Sequence, residues 1–151
     1  MNKAINVVNE LLVDIFNDIL TIEQRALNEG ELKDLSIAEI HTIEAMRMYE
    51  ARSMSEVAQD LKITVGTLTT AINNLVKKGY VERNRIEEDR RVVLIKLTKR
   101  GKLAYRIHDK FHKDMVKETI QGLDGEEETV LVGALEKLNS FFKSKYNLAK
   151  K

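Results

Sequence analysis

The chain has 151 residues, 43% hydrophobic and 32% charged, a length most simply read as one domain that buries about 70% of the surface its unfolded chain exposes. With no Cys, no Pro and 7 Gly, it has no disulfide framework, no thiolate metal site or thiol sensor, and nothing of a disordered tail or loop-rich β fold. The net charge of +1 conceals a strong asymmetry, because residues 62–113 hold 14 Lys and Arg against 5 Asp and Glu, a balance of +9 suited to a polyanion unless those charges cancel in space.

Residues 4–28 repeat apolar side chains at Ile5, Val8, Leu12, Ile15, Ile19, Ile22 and Ala26, a three-and-four spacing that predicts one helical stripe. Leu11, Phe16, Leu20 and Leu27 widen it beyond what one neighbouring helix covers, and Gly30 ends it. Asp14 and Asp18 interrupt the apolar run, so a signal peptide is not expected there. No later stretch approaches the about 18 apolar residues of a membrane span, and a soluble cytoplasmic protein with no membrane partner is expected. Ser36 with Glu39 forms a capping box for a helix to about Met48, and Ser53 with Glu56 one for a short helix to Leu61. Thr64 is an N-cap candidate for a further helix, which Lys77, Lys78 and Gly79 bring to a stop. Two short strands follow, 80–83 and the β-branched run 92–97, joined by the charged loop 84–91. Thr98 opens a helix over 98–121 with Leu103, Ile107, Phe111 and Met115 four apart, and Asp124 with Glu127 caps the last, to about Leu148.

The two helices over 53–79, joined at Lys62-Ile63-Thr64, have helix-turn-helix spacing. On the second, Val65, Leu68, Ile72, Leu75 and Val76 share one face, and Gly66, Thr67, Thr69, Thr70, Asn73, Asn74 and Lys77 share the other. An ordinary solvated face carries Glu and Lys; this one carries hydroxyls and amides, the groups that suit base edges in a major groove. Arg85, Arg90 and Arg91 stand on the protruding loop, from which an arginine can enter a minor groove. Asp89 can orient Arg91, although such a surface pair contributes little to stability. Nothing in the chain has the form of a Gly-rich phosphate loop or a nucleophile elbow, so an enzyme is not expected.

Lys78-Gly79-Tyr80-Val81-Glu82-Arg83, Asp89-Arg90-Arg91 and Leu97-Thr98-Lys99-Arg100-Gly101 together resemble the MarR family of winged-helix transcription regulators. The resemblance implies a mainly α fold: a winged helix-turn-helix DNA-binding domain with a two-stranded β wing and an intertwined α-helical dimerisation region. It implies one domain over 1–151, with dimerisation helices at 1–30 and 122–151, the winged helix-turn-helix at 36–100 and a connecting helix at 101–121. It implies a homodimer on a pseudo-palindromic duplex, touched by Thr67, Thr69, Thr70, Asn73, Asn74, Lys77, Arg90 and Arg91.

Within that family the chain is most similar to the branch that represses fatty-acid biosynthesis genes. His41-Thr42-Ile43, residues 65–75, Asp89-Arg90-Arg91-Val92-Val93 and His108-Asp109-Lys110-Phe111-His112-Lys113 carry this likeness. It implies long-chain acyl-acyl carrier protein as the effector, acting as corepressor, and no resident cofactor. Acyl carrier protein is acidic, so Arg106, Lys110 and Lys113 are candidate docking residues, although DNA phosphates explain basic residues equally well. The implied ligand pocket is lined by Phe16, Leu20, Ile43, Met46, Ile107, His108 and Phe111, residues that plain core packing also accounts for. Two alternatives stand beside this reading. The family's zinc-responsive branch uses a Glu/His/His/His set, for which Glu23, His41, His108 and His112 are available here. A MarR repressor answering small aromatic or lipophilic ligands is the other.

Overall fold

The computed structural model describes residues 2–148. The ends of the two expected dimerisation segments, residues 1 and 149–151, lie outside the described residues. Among the described residues the elements run α1 (Lys3–Glu29), α2 (Ile37–Met46), β1 (Arg52–Ser53), α3 (Met54–Leu61), α4 (Val65–Lys77), β2 (Val81–Arg85), β3 (Val93–Leu97), α5 (Lys99–Ile120) and α6 (Gly125–Lys145). The chain divides into two compact units, Met1–His108 and Asp109–Lys151, so the boundary falls within α5. No described helix is long and apolar enough to cross a membrane.

The caps form largely as the residue pattern predicts. Ser36 accepts from the Glu39 N–H at 3.1 Å and Glu39 accepts from the Ser36 N–H at 3.0 Å. Asp124 and Glu127 form the same reciprocal pair at the start of α6. At Ser53 the forward bond forms, to the Glu56 N–H at 3.1 Å, but the Glu56 carboxylate turns to Arg52 at 3.7 Å. Helix α2 stops at Met46 rather than Met48, because Arg47 takes φ 62° and leaves the helical region. Between α3 and α4, Lys62 is left-handed (φ 58°) and Ile63 N–H returns to the Ala58 carbonyl at 3.0 Å, which makes the sharp turn of the helix-turn-helix.

The wing hairpin forms with Val81 opposite Leu97 and Arg85 opposite Val93. The sheet has three strands rather than the two expected, in antiparallel order β1-β3-β2. The added β1 pairs Arg52 with Ile95 and Ser53 with Leu94. Arg52 anchors it: the guanidinium is buried, donates to the Ala45 carbonyl and meets Asp60 at 3.0 Å.

The core of the first unit is built from α2, α3, α4 and the sheet. Ile40, Ile43, Met46, Leu68, Ile72 and Leu75 are all fully enclosed. Truncating any one of these to alanine in such a core costs about 2–5 kcal/mol. Helix α5 is seated differently from its apolar spacing. Its buried positions are Gly101, Ala104 and His108, whereas Leu103 is 49% exposed. The reason is close approach: the N–H of Thr98 donates to the Tyr80 carbonyl at 3.0 Å, which brings the first turn of α5 onto that backbone, where only small residues fit.

A polar cluster closes the same corner. Tyr80 donates its hydroxyl to Asp34 at 2.7 Å, Arg100 meets Asp34 at 3.1 Å and covers the Tyr80 ring at 4.4 Å, and Lys78 meets Glu39 at 2.9 Å. Burial, reinforced by the bond to Asp34, raises the Tyr80 phenol above its ordinary pKa. The Lys78-Gly79-Tyr80 and Lys99-Arg100-Gly101 motifs thus have a local structural cause. Gly79 (φ 84°) turns the chain out of α4, and the basic residues on either side tie that turn to α2 and to the loop before it.

Helix α1 exposes most of its apolar stripe, with Ile5 58%, Leu12 44%, Ile15 53% and Phe16 65% exposed. Helix α6, in the second unit, buries no residue and exposes Val130, Leu135, Phe141 and Phe142.

Candidate nucleic-acid interface

Helix α4 is held from beneath by Leu68, Ile72 and Leu75 and capped by Thr64, whose side chain accepts from the Thr67 N–H at 3.1 Å. The polar face predicted for it splits in two. Thr67, Thr70, Asn74 and Lys77 are exposed and form the outermost stripe, at the three-and-four spacing of one helical face. Thr69 and Asn73 are half-buried and turn toward the wing. Val65, grouped with the core residues by its spacing, is 45% exposed and belongs to this flank instead. The Thr69 hydroxyl donates back to the Val65 carbonyl at 2.8 Å, so Thr69 presents an acceptor outward. Thr67 accepts from the Thr64 hydroxyl at 2.9 Å and keeps its own hydroxyl hydrogen for an outside partner.

The wing tip is fixed by its own polar groups. Arg85 donates to the Arg90 carbonyl at 2.8 Å, across the turn. Asp89 accepts from the Arg91 backbone N–H at 3.0 Å and from its Nε at 3.1 Å. These bonds hold the Asp89 carboxyl below the ordinary carboxylate range. The Arg91 side chain is aligned by the pair yet remains 91% exposed. Arg90 is exposed as well.

Between α4, the start of α3 and the wing runs a groove of about 800 Å³, lined in part by Ser53, Thr69, Asn73, Arg83, Arg85 and Arg91. Three guanidinium groups and several neutral hydrogen-bonding groups share its walls, an arrangement suited to a phosphate backbone beside a base edge. Arg83 was not among the expected contact residues. The signal existed: Arg83 and Arg85 are two apart on β2 and so share one face of the strand.

The residues expected to line a ligand pocket are dispersed. Ile43 and Met46 are core residues with no exposed surface, Phe16 is exposed, Leu20 is half-buried, and Ile107 packs on the edge of the core. Phe111 lies in the second unit, its ring edge-on to His112 at 5.5 Å. His108 is buried and belongs to an acid–histidine cluster. Its Nε2 lies 3.0 Å from Glu44 and 3.6 Å from Glu23, and His41 Nε2 lies 3.4 Å from Glu23. One ligand atom each from Glu23, His41 and His108 falls within 4.8 Å of the others, so these three are placed to hold a cation. His112, the fourth member of the expected set, is in the second unit.

Residues 30–106 match the family model described as transcriptional regulator SarA/Rot. The chain is similar to FabT of Streptococcus pneumoniae, solved in complex with DNA, at 44% identity over 92% of this chain and 97% of that one, with a TM-score of 0.87. It is 28% identical over 137 residues to the multiple antibiotic resistance protein MarR of Escherichia coli, covering 83% of this chain and 95% of the relative. It also shares its fold with S. aureus MepR, solved with DNA, at 20% identity over 88% of this chain and 96% of that one, with a TM-score of 0.72. With the helix-turn-helix, the wing and the seating of α5 all in place, the chain belongs to the MarR family of winged-helix transcription regulators.

Proposed function

We propose that the protein is a homodimeric repressor of fatty-acid biosynthesis genes whose grip on its operator is tightened by long-chain acyl-acyl carrier protein. The 44% identity to DNA-bound FabT over nearly the whole of both chains carries this reading. In it, two copies of α4 enter successive major grooves about one DNA turn apart, and the wings reach the flanking minor grooves. The exposed stripes of α1 and α6 support the dimer, since each presents an apolar row that a second copy would cover. The acyl group is assigned to the α1 side of the first unit, near Phe16, Leu20 and Ile107, because Ile43 and Met46 are reached only by displacing core packing. Basic residues on α5 remain the docking candidates for the acidic carrier. Arg106 is exposed, Lys110 pairs with Asp114 at 2.5 Å, and Lys113 pairs with Asp109 at 2.7 Å.

The effector can shift DNA binding only through a difference in affinity for two spacings of the recognition helices. Long-chain acyl-acyl carrier protein is expected to tighten operator binding about tenfold, within the usual range of allosteric coupling. Native mass spectrometry of the dimer with the acylated carrier, followed by operator titration, tests this. A stoichiometric complex and tighter binding support the proposal; no complex, or binding unchanged in its presence, removes the lipid assignment.

A second reading has its own observation. Zinc ligands at about 2.0–2.1 Å in tetrahedral array stand about 3.4 Å apart, close to the Glu23–His41 and Glu23–His108 separations of 3.4 and 3.6 Å. The same mass spectra decide it. One tightly held zinc per subunit, lost in His41→Ala, would favour metal sensing over lipid sensing.

Asp89 gives a prediction with two opposite signs. Asp89→Ala removes a negative charge from the wing, which alone strengthens binding to any duplex. It also releases the Arg91 guanidinium from the orientation set by Asp89. Binding to the operator is therefore expected to weaken about threefold while binding to unrelated DNA holds or rises. Parallel rises on both duplexes would mean that Asp89 acts by charge alone.

A further inference from the structure

The peptide group between Arg90 and Arg91 is held at both of its ends. Its oxygen, on Arg90, accepts from Arg85 Nη1 at 2.8 Å, and its N–H, on Arg91, donates to Asp89 Oδ1 at 3.0 Å. A cation meets the carbonyl and an anion meets the N–H, so both bonds are charge-assisted and oppose rotation of the group. This peptide is the central one of a four-residue turn, in which the Val92 N–H donates to the Asp89 carbonyl at 3.0 Å. Toward the strands, the Ile86 N–H donates to the Val92 carbonyl at 3.1 Å and closes the loop. Arg85 is the last residue of β2, opposite Val93, so it reaches the turn from the sheet. Arg83, two residues back on the same strand face, donates instead to Asn73 Oδ1 of α4 at 2.5 Å.

The charge of the tip gives this clamp its importance. Within residues 85–91, Arg85, Arg90 and Arg91 are cancelled by Glu87, Glu88 and Asp89. A segment with no net charge is not drawn to a duplex by its sum. It gains only if the arginines are presented and the carboxylates are turned away, and that is a matter of how the turn is held. We propose that Arg85 is a positioning residue for DNA binding: by holding the Arg90 carbonyl it fixes the peptide from which Arg91 projects, and so aims Arg91 into the minor groove. This rests on the reading above that the wing enters that groove. Asp89 and Arg91 belong to one turn and move together, whereas Arg85 ties that turn to β2. Without the tie, the turn loses conformational freedom when DNA binds, at a cost in affinity that falls on the Arg91 contact.

Operators with A/T-rich and G/C-rich flanks, each titrated with the full-length protein, test the proposal. Arg85→Met keeps the aliphatic stem and removes the donors. Its lost charge weakens binding to both duplexes, so the quantity that decides is the ratio of the two affinities. That ratio is expected to fall about threefold, the size of one exposed hydrogen bond, because the narrow A/T-rich groove is where an aimed Arg91 gains most. In an Arg91→Ala background, Arg85→Met should leave the ratio where Arg91→Ala alone put it. In the free dimer, the heteronuclear NOE of the Arg91 amide is expected to fall in Arg85→Met while those of α4 stay, an effect present before any DNA. Arg85 is exposed, so the variant is expected to fold, and circular dichroism checks that it does. An unchanged ratio in Arg85→Met overturns the proposal and makes Arg85 at most a phosphate contact. So does an Arg91 amide as ordered as in the wild type, or a fall in the ratio that persists in the Arg91→Ala background, where Arg85 would be reading the groove itself. Each of these leaves the wing reading standing. Affinity for both operators unchanged in Arg91→Ala alone would overturn that reading, and the proposal with it.

Discussion

Arg91→Ala is expected to weaken operator binding at least tenfold at physiological salt and to leave the dimer folded. The two halves of this expectation have separate causes. The Arg91 side chain is 91% exposed and pairs with partly exposed Asp89, so folding depends little on it. Binding depends on it because the pair aligns the guanidinium before DNA arrives, and a side chain already ordered loses less freedom on contact. The potential of a narrow minor groove then acts on a charge held in place. Arg90 has no comparable side-chain partner within the wing tip, and the loss from Arg90→Ala is expected to be smaller. Fluorescence anisotropy on two operators, one with A/T-rich and one with G/C-rich flanks, separates the mechanisms. The Arg91 effect should shrink on the G/C-rich flanks, where the minor groove is wider. Equal loss on both would make Arg91 a phosphate contact, and unchanged affinity on both would reject the wing assignment.

The parts of this molecule written in local chemistry were legible in the sequence, and the parts made by distant pairing were not. Thr64, followed by Lys77-Lys78-Gly79, brackets α4 to within a residue, because caps and stops act over one turn. Strand β1 was invisible: it has two residues, no periodicity, and a partner at Ile95 far along the chain. The end of α2 was placed too late because nothing in the residue pattern marks Arg47 as the position where φ becomes positive. The stripe on α5 was displaced by one residue because the buried face is chosen by the Tyr80 carbonyl, which accommodates Gly101, rather than by the apolar repeat. For the candidate interface, helical spacing identified the polar face of α4 as a whole. It could not divide that face into the outer stripe of Thr67, Thr70 and Asn74 and the wing-facing flank of Thr69 and Asn73, since the wing supplies the division. Arg83 was missed for the same reason, its relevance residing in a bond to another element.

Gly101→Ala is expected to be the most damaging methyl group that can be added to the first unit. A Cβ at Gly101 would lie 2.1 Å from the Tyr80 carbonyl oxygen, 3.1 Å from its carbon and 3.2 Å from Leu97 Cβ. The atom in the way is backbone, so no rotamer relieves the clash. Nor is that carbonyl free to move. It accepts from Thr98 N–H at 3.0 Å, while the rest of Tyr80 is held by the Asp34 bond and the Arg100 guanidinium. The start of α5 must therefore lift away from the turn that follows α4, exposing part of the core at Leu97 and Tyr80. A cost of about 3 kcal/mol is expected, at the upper end for overpacking. For a chain of this length that lowers the thermal midpoint by about 6–12 °C. Gly66→Ala is the control, because its new Cβ meets only the Thr64 hydroxyl at 3.9 Å and alanine favours the helix by about 0.5 kcal/mol. Urea denaturation of both variants at one fixed protein concentration, followed by circular dichroism, makes the comparison independent of dimer mass action. If Gly101→Ala unfolds at the same urea concentration as the wild type, α5 is not seated on the Tyr80 carbonyl. If it unfolds earlier and operator binding falls only in proportion to the folded fraction, the glycine serves the fold. A fall in binding beyond that fraction would mean that the seating of α5 also sets the position from which α4 and the wing reach DNA.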